Sequence, residues 1–213
     1  FQAEDGIRDA LVGLVGSEMC IRDSNDDEFA IQAMNDVLGG AFSARVNMNL
    51  REDKSWSYGA YTFILNGAGP RAFIGYAPVQ TDKTKESMAE IYSEVSGILG
   101  ERPPTSDEIA RAKDKSTLTL VGRWETANAV ASSLAEMVRF DLPDNYWEEY
   151  PEMVRSLSED QVADAAKTVV RPDNMVWVVV GDRAKIEEGI SELEFGEIIL
   201  MDADGNVLEQ PGG

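Results

Sequence analysis

The stretch NDVLGGAFSARVNMNLREDKSWSYGAY, residues 35–61, decides the fold that we predict for this chain. It completes a helix that begins upstream, and Gly39-Gly40 ends that helix, as glycine commonly does. A second short helix is predicted to end at Arg51. Aromatic residues then become frequent, which indicates a strand that begins near Tyr58.

Four runs of the sequence are typical of strands. Residues 58–65 are rich in aromatic and β-branched side chains, and residues 71–79 are predicted to pair with them as an antiparallel neighbour. Residues 175–181 form an almost continuous apolar run, typical of a strand that is buried on both faces or lies at the centre of a sheet. A last short strand is predicted near residues 197–201.

Apolar residues at helical spacing predict helices along most of the remaining chain. The predicted helices run from a cap at Asp26 or Asp27 to residue 38, and then over residues 43–51, 81–99, 106–124, 127–139, 145–157, 158–169 and 184–193. Thr105, Ser106 and Glu108 resemble a capping box. Strands, then a run of helices, then further strands predict an α+β domain with a largely antiparallel sheet.

The first 24 residues, FQAEDGIRDALVGLVGSEMCIRDS, do not continue into the periodic pattern that begins after Asn25. They resemble translated sequencing-adapter sequence, and the alternative is a natural amphipathic lead-in helix. We therefore predict a non-native segment at residues 1–24, a domain at residues 25–208 and a loose tail at residues 209–213. Cys20 lies in the adapter-like segment, and we assign it no function.

Composition excludes several classes of partner. The chain has 39 acidic and 19 basic residues, for a formal net charge of −20. Nucleic acids and anionic membrane surfaces bind proteins through Lys and Arg, so neither is an expected partner. No apolar run approaches the roughly 18 residues of a membrane-spanning helix, so membrane insertion is not expected. The single cysteine excludes an internal disulfide, which fits a reducing compartment or a periplasmic protein without disulfides.

The chain contains no histidine. Hydrolase sites with a histidine base are therefore excluded, and so are the usual zinc sites, because one cysteine is the only soft ligand left. No metal site is predicted in this chain. A pair of carboxylates that acts as acid and base stays open as an alternative, although 39 acidic residues make such pairs common.

Arg51 and Tyr58 are the candidate functional residues, since each falls at the end of a predicted element, where side chains tend to project into clefts. A guanidinium offers a planar fork of donors that keeps its charge, and a phenol offers a hydroxyl donor on a stiff ring. The two suit binding of a carbonyl or of a developing oxyanion. The alternative is structural: Arg51 pairs with Glu52 or Asp53, and Tyr58 is half-buried in the sheet.

The string L-G-G-x-F-x-x-R-x-x-x-N-L-R-E at residues 38–52, followed by Tyr58-Gly59, resembles the signature of a known domain. It is similar to the C-terminal domain of the insulinase, pitrilysin and mitochondrial-processing-peptidase family. The similarity is specific over residues 38–61 and looser over the rest of residues 25–207. The resemblance implies an α+β domain whose mostly antiparallel sheet has helices packed on one face.

That family's domain usually begins with a strand before its first helix. Here the adapter-like segment stands in that place. The resemblance therefore implies that the domain is incomplete at its N-terminus and that its sheet lacks an edge strand.

Members of the family combine two related domains around a closed chamber, and one of them has an inverted His-x-x-Glu-His zinc motif. The other supplies an Arg and a Tyr seven residues apart, which Arg51 and Tyr58 match. The match implies that Arg51 holds a substrate backbone carbonyl. Tyr58 is implied to be catalytic, helping to stabilise the tetrahedral intermediate that forms at the zinc of the partner domain. Gly39 and Gly40 match the family's glycine-rich loop and are implied to line the substrate-binding chamber.

The resemblance implies a peptide substrate and a zinc-bearing insulinase-type partner domain, in the same longer chain or in a separate subunit. Zinc is expected in that partner, and this chain alone is predicted to be inactive because it has no His-x-x-Glu-His motif. The closing pattern resembles that of long exported bacterial members, which implies the periplasm, with the cytoplasm as the alternative.

Two functions remain open. The first is the substrate-binding half of a zinc metalloendopeptidase. The second is a degenerate, non-proteolytic member that acts as a structural or assembly subunit. The intact pair of Arg51 and Tyr58 favours the first.

Overall fold

The computed structural model of this protein describes residues 7–19, 27–66 and 71–208. The strands in these ranges are β1 (Ile7–Met19), β2 (Tyr61–Ile64), β3 (Arg71–Gln80) and β4 (Met175–Val180). The α-helices are α1 (Glu28–Asn35), α2 (Arg45–Asn47), α3 (Thr84–Gly97), α4 (Ser106–Leu118), α5 (Ala127–Arg139), α6 (Tyr146–Ser156), α7 (Glu159–Val169) and α8 (Arg183–Ser191). Two π-helical segments, Asp36–Gly40 and Met48–Asp53, continue α1 and α2. None of these helices is long and apolar enough to cross a membrane.

The sheet is antiparallel throughout the described residues, with its strands in the order β2-β3-β1-β4. Tyr61 of β2 lies opposite Tyr76 of β3. Gly13 of β1 lies between Gly75 of β3 and Trp177 of β4. The predicted α+β class and the antiparallel sheet are confirmed.

The helices pack on one face of this sheet. Phe73, Ala77 and Val79 of β3 are buried in a core that side chains of α1, α3 and α7 complete. Tyr61 and Tyr76, which lie on the other face, are 40% and 42% exposed. The predicted packing of helices on a single face is therefore confirmed.

β1 occupies the place where the sequence predicts a missing strand. It lies at the centre of the sheet and pairs with both β3 and β4, so the prediction that the sheet lacks an edge strand is wrong. The adapter-like origin of residues 1–24 and the domain limits at residues 25 and 208 stay predictions. Cys20 and the tail at residues 209–213 lie outside the described residues.

β4 lies at an edge of the sheet, so the prediction of a strand buried on both faces or at the sheet centre is wrong. Its side chains alternate, with Trp177 packed against the core and Val176 and Val178 exposed by 58% and 43%. A continuous apolar run shows that both faces are apolar. It does not show whether anything covers the second face.

The predicted helices are confirmed, with shifted ends. The capping box forms as predicted, because Glu108 N–H donates to the Thr105 hydroxyl at 3.3 Å and Thr105 N–H donates to the Glu108 carboxylate at 2.9 Å. The α-helix predicted to reach residue 124 ends at Leu118, and the chain continues as a 3-10 helix over Thr119–Trp124. The strand predicted near residues 197–201 is wrong, since an isolated bridge between Met201 and Val207 forms there.

A buried ion pair joins the start of α1 to the start of β3. Arg71 donates from Nη1 and Nη2 to the two carboxylate oxygens of Glu28, at 3.1 and 2.5 Å, and the Arg71 side chain has no exposed surface. Two parallel bonds between a guanidinium and a carboxylate are strong and directional. Loss of one partner is costly in such a place because the other charge stays buried.

Arg71→Ala is expected to lower the free energy of unfolding by about 3–5 kcal/mol, because Glu28 loses its buried guanidinium partner. Urea denaturation followed by circular dichroism measures the loss. Arg183→Ala is the matched control, since Arg183 pairs with Glu187 on the exposed surface of α8, and it should leave the urea midpoint nearly unchanged. Equal losses in the two variants would contradict the importance of the buried pair.

Candidate functional site

The glycine pair that ends the first helix lies directly against β2. After Asn35 the helix widens into a π-helical turn, which buries Gly39 beside Thr62. A Cβ on Gly39 would lie 2.5 Å from both the backbone nitrogen and the hydroxyl oxygen of Thr62, so the approach requires glycine. Thr62 also donates from its hydroxyl to Asn35 Oδ1 at 2.8 Å, which fixes the same junction.

Lys115 of α4 holds the same turn from another side. Its ammonium group donates to Asp36 at 2.6 Å and to the Gly40 carbonyl oxygen at 2.8 Å. Burial raises the pKa of the Asp36 carboxyl, although the hydrogen bond and the charge of Lys115 oppose that shift. The loop that begins after Gly40 therefore starts from a fixed position.

Arg51 lies on the π-helical segment Met48–Asp53, with its side chain 37% exposed. Its guanidinium carbon lies 4.6 Å from the centroid of the Phe42 ring, and its Nε lies 3.3 Å from the Glu52 carboxylate. The contact with Glu52 agrees with the structural alternative, but it engages only Nε. The two Nη groups form no hydrogen bond with the described part of the chain, and the Phe42 ring contacts the guanidinium from one side.

Tyr58 projects from a segment whose backbone is firmly held, and it is 82% exposed. The alternative of a ring half-buried in the sheet is therefore wrong. The Leu50 carbonyl oxygen accepts from the backbone N–H groups of Trp56 at 2.9 Å and Ser57 at 3.3 Å. Leu50 directly precedes Arg51 and Ser57 directly precedes Tyr58, so the backbone segments of the two candidate residues are in direct contact.

Arg45, at the start of α2, anchors this region to α4. Its guanidinium donates to the two carboxylate oxygens of Glu108 at 2.7 and 2.6 Å, and to the carbonyl oxygens of Arg102 and Pro103. Burial raises the pKa of the Glu108 carboxyl, but the hydrogen bonds from Arg45 and Thr105 outweigh it and lower the pKa to about 2. The ionised form of Glu108 is therefore the one that the folded structure stabilises.

Two residues of this region were given no role in the sequence prediction, although Phe42 is a specified position of the string at residues 38–52. Phe42 supports the Arg51 guanidinium, and Asn47 is a buried amide that contacts Phe42 and Ala60. The string specifies Phe42 without indicating what it contacts, and Asn47 falls on an unspecified position of it. The spacing of four between Asn47 and Arg51, which places them on one helix face, was the available signal.

A separate open cleft of about 1020 Å³ is lined by α1, α4, α5, α6 and β2. Aromatic rings form part of its wall, among them Trp147 and Tyr150, whose centroids lie 5.4 Å apart. Arg51 and Tyr58 do not line it. The predicted site residues therefore lie on a different surface from this cleft.

The region around Arg51 and Tyr58 does not fit a metal ion. A guanidinium offers hydrogen-bond donors and no lone pair. Within residues 7–19, 27–66 and 71–208, no group of three or more His, Cys, Asp or Glu side chains is placed to hold a metal.

Residues 10–116 match a family model described as the peptidase M16 inactive domain. The chain belongs to the peptidase M16 family, as an inactive domain. The resemblance to the insulinase-type family is thereby confirmed. The matched range includes Gly39, Arg51 and Tyr58. No curated protein sequence matches this M16 domain.

Several solved structures share the fold. The peptidase M16 inactive domain from Pseudomonas fluorescens is 23% identical, with a TM-score of 0.70 over 82% of this chain and 41% of that chain. The periplasmic protease PqqL from Escherichia coli is 15% identical, with a TM-score of 0.61 over 81% of this chain and 19% of that one. A chain of complex III2 from Candida albicans is 14% identical, with a TM-score of 0.66 over 87% of this chain and 46% of that one.

At these identities the likeness shows the fold alone. The M16 domain spans about two fifths of the length of the Pseudomonas fluorescens chain. Arg51 and Tyr58 are brought together by their backbones, whereas Gly39 is buried against β2. The functional roles predicted for Arg51, Tyr58, Gly39 and Gly40 stay predictions.

Gly39→Ala is expected to lower the free energy of unfolding by about 1–3 kcal/mol, because the new methyl group collides with the backbone of β2. Gly100→Ala is the matched control, since a Cβ there meets nothing within 4 Å. Urea denaturation of both variants measures the difference. A Gly39→Ala variant as stable as the parent would show that the helix end can move away from Thr62 at little cost.

Glu108→Gln is expected to destabilise the domain most above about pH 4.5, and the loss should shrink as the pH falls toward about 2. The folded pKa lies below the unfolded one, so the ionised carboxylate stabilises the fold at neutral pH and loses that effect on protonation. Urea midpoints measured across this range test the expectation. Glu86→Gln, in a more exposed pair with Lys83, is the control. A loss that does not change with pH would contradict the prediction.

Proposed function

We propose that this M16 domain is the substrate-binding, zinc-free half of a zinc metalloendopeptidase. The supporting observation is the exposure of Arg51 and Tyr58 on backbone segments that hydrogen bonds hold together. Residues that bind a substrate need available donors and a rigid backbone. The Nη groups of Arg51 and the hydroxyl of Tyr58 are such donors, although Arg51 Nε contacts Glu52. A zinc ion in the partner domain would supply Lewis-acid activation of the peptide carbonyl and of the attacking water.

The two side chains would have different roles: one would bind the peptide backbone, and the other would stabilise the transition state. Arg51 donates from its Nη groups to a backbone carbonyl of the substrate and so holds the chain in place. Tyr58 donates its hydroxyl proton in a hydrogen bond to the oxygen that gains negative charge as the scissile carbonyl becomes tetrahedral. Both bonds strengthen when water is excluded, so the partner domain must close over the pair.

The partner is a zinc-bearing domain, either fused in a longer chain or supplied as a separate subunit. The Pseudomonas fluorescens chain, of which this domain matches 41%, is long enough for a second domain of similar size. The periplasm is the proposed location, by analogy with PqqL, which is described as a periplasmic protease. The cytoplasm is the alternative.

A structural or assembly role without proteolysis is the second candidate. The observation that favours it is the fold shared with a chain of complex III2. A purely structural subunit has no need for an exposed arginine and tyrosine on a fixed backbone. We therefore prefer the protease.

Arg51→Ala and Tyr58→Phe, made in the enzyme together with its zinc-bearing half, test the proposal. Tyr58→Phe is expected to lower kcat/KM for a peptide substrate by about 10²–10³-fold, the usual loss for one oxyanion donor. Arg51→Ala is expected to lower it by about 10–10²-fold, as for a lost hydrogen bond from a charged group. Arg51→Ala should act mainly through KM because it removes a ground-state contact. Tyr58→Phe should act mainly through kcat because its hydrogen bond strengthens in the transition state.

Arg111→Ala and Tyr92→Phe are the controls, since Arg111 is exposed on α4 and the Tyr92 ring of α3 packs against Phe195, with 4.9 Å between the ring centroids. Their kcat/KM should stay at the parental value, and the urea midpoints of all four variants show that each is folded. Parental activity in both Arg51→Ala and Tyr58→Phe would contradict the protease role of this domain and leave the structural subunit.

A further inference from the structure

Asn47 is a buried amide that joins the loop of Phe42 to the segment of Tyr58, with 0% of its surface exposed. Its Nδ2 donates to the Phe42 carbonyl oxygen at 2.6 Å, and its Oδ1 accepts from the Ala60 N–H at 3.0 Å. A buried amide is costly unless both its ends are bonded, and here both are. The amide is therefore a specific connection between two segments of the chain.

The two bonds of Asn47 reach both halves of the candidate site. Phe42 lies under the Arg51 guanidinium, 4.6 Å from ring centroid to guanidinium carbon. Ala60 lies two residues after Tyr58. Asn47 itself precedes Arg51 by about one helical turn. One side chain thus bonds to the loop that carries Phe42 and to the segment that follows Tyr58.

We infer that Asn47 is a positioning residue for Arg51 and Tyr58, an inference that rests on the proposed function. Asn47 is buried and does not reach substrate. It acts through the Phe42 ring, which contacts the Arg51 guanidinium, and through the backbone that follows Tyr58. Donors held in place before the substrate arrives need no rearrangement, and a displacement of about 1 Å can cost about 10²-fold in rate.

Asn47→Asp separates the two bonds. The aspartate keeps an acceptor for the Ala60 N–H and, when ionised, loses the Nδ2 donor and places a carboxylate oxygen against the Phe42 carbonyl oxygen. The assays are run at alkaline pH, because burial favours the protonated acid, which would donate to that carbonyl. In the enzyme with its zinc-bearing half, kcat/KM is expected to fall by about 10- to 100-fold. The loss should appear mainly in KM, as for Arg51→Ala, because Arg51 loses the support of its ring.

A double-mutant cycle with Arg51→Ala distinguishes positioning from a general loss of stability. If Asn47 acts through Arg51, Asn47→Asp should change kcat/KM by less than about twofold in the Arg51→Ala background. The same fold-loss in both backgrounds would overturn the inference, because independent effects multiply.

Asn49→Ala is the matched control from the same helical segment. Asn49 donates from Nδ2 to Glu90 at 2.8 Å and to Glu94 at 2.9 Å, so its loss removes buried hydrogen bonds on the side of α3. It should lower the urea midpoint and leave kcat/KM within about twofold of the parent while folded. A fall in kcat/KM as large as that of Asn47→Asp would overturn the inference.

A second measurement on this chain alone does not depend on activity. The Phe42 ring should shift the Arg51 side-chain NMR resonances upfield, and Phe42→Leu gives the reference without the ring. Asn47→Asp is expected to move these resonances toward the Phe42→Leu positions. Resonances that stay at the parental positions would overturn the inference. If Arg51→Ala and Tyr58→Phe keep parental activity, the proposed function fails, and this measurement alone decides whether Asn47 positions Arg51.

Discussion

The close approach of the first helix to β2 is the constraint on which the rest of this structure depends. Only a residue without a side chain at Gly39 lets the helix end lie against the Thr62 backbone. The chain then leaves the helix at a fixed point and direction, which Lys115 secures from α4. The Phe42 loop and the segment of Arg51 both follow from that exit. A packing requirement at one glycine therefore determines where the candidate site residues are presented.

The region around Arg51 and Tyr58 combines a rigid backbone with exposed side chains. Hydrogen bonds to the Leu50 carbonyl oxygen and to Asn47 satisfy the backbone groups of this irregular segment. An irregular chain can be buried only when its polar groups are paired in this way. The same pairing leaves the Arg51 Nη groups and the Tyr58 ring free to meet a ligand. Rigidity and accessibility therefore have a common cause here, which is the pairing of the backbone.

Local interactions account for the predictions that succeeded. The capping box of Thr105 and Glu108 and the strand β3 depend on residues close in the sequence, so their patterns are visible there. The errors concern non-local features. β4 was predicted to be buried on both faces or to lie at the sheet centre. It is an edge strand because it pairs only with β1 among the described strands, and its second face is exposed at Val176 and Val178. The role of β1 could not be predicted either, because its partners lie about sixty and one hundred and sixty residues away.

The sequence by itself determined that this is an α+β domain without a histidine base, and it singled out Arg51 and Tyr58 by their type and spacing. Those conclusions depend on composition, periodicity and a local motif, and all three are visible without the tertiary structure. Only the tertiary structure decided that Tyr58 is exposed, that the Arg51 guanidinium contacts the Phe42 ring, and that Asn47 connects their segments. Burial and hydrogen-bond partners depend on segments that are distant in the sequence and close in space. The spacing of residues along the sequence does not contain that information.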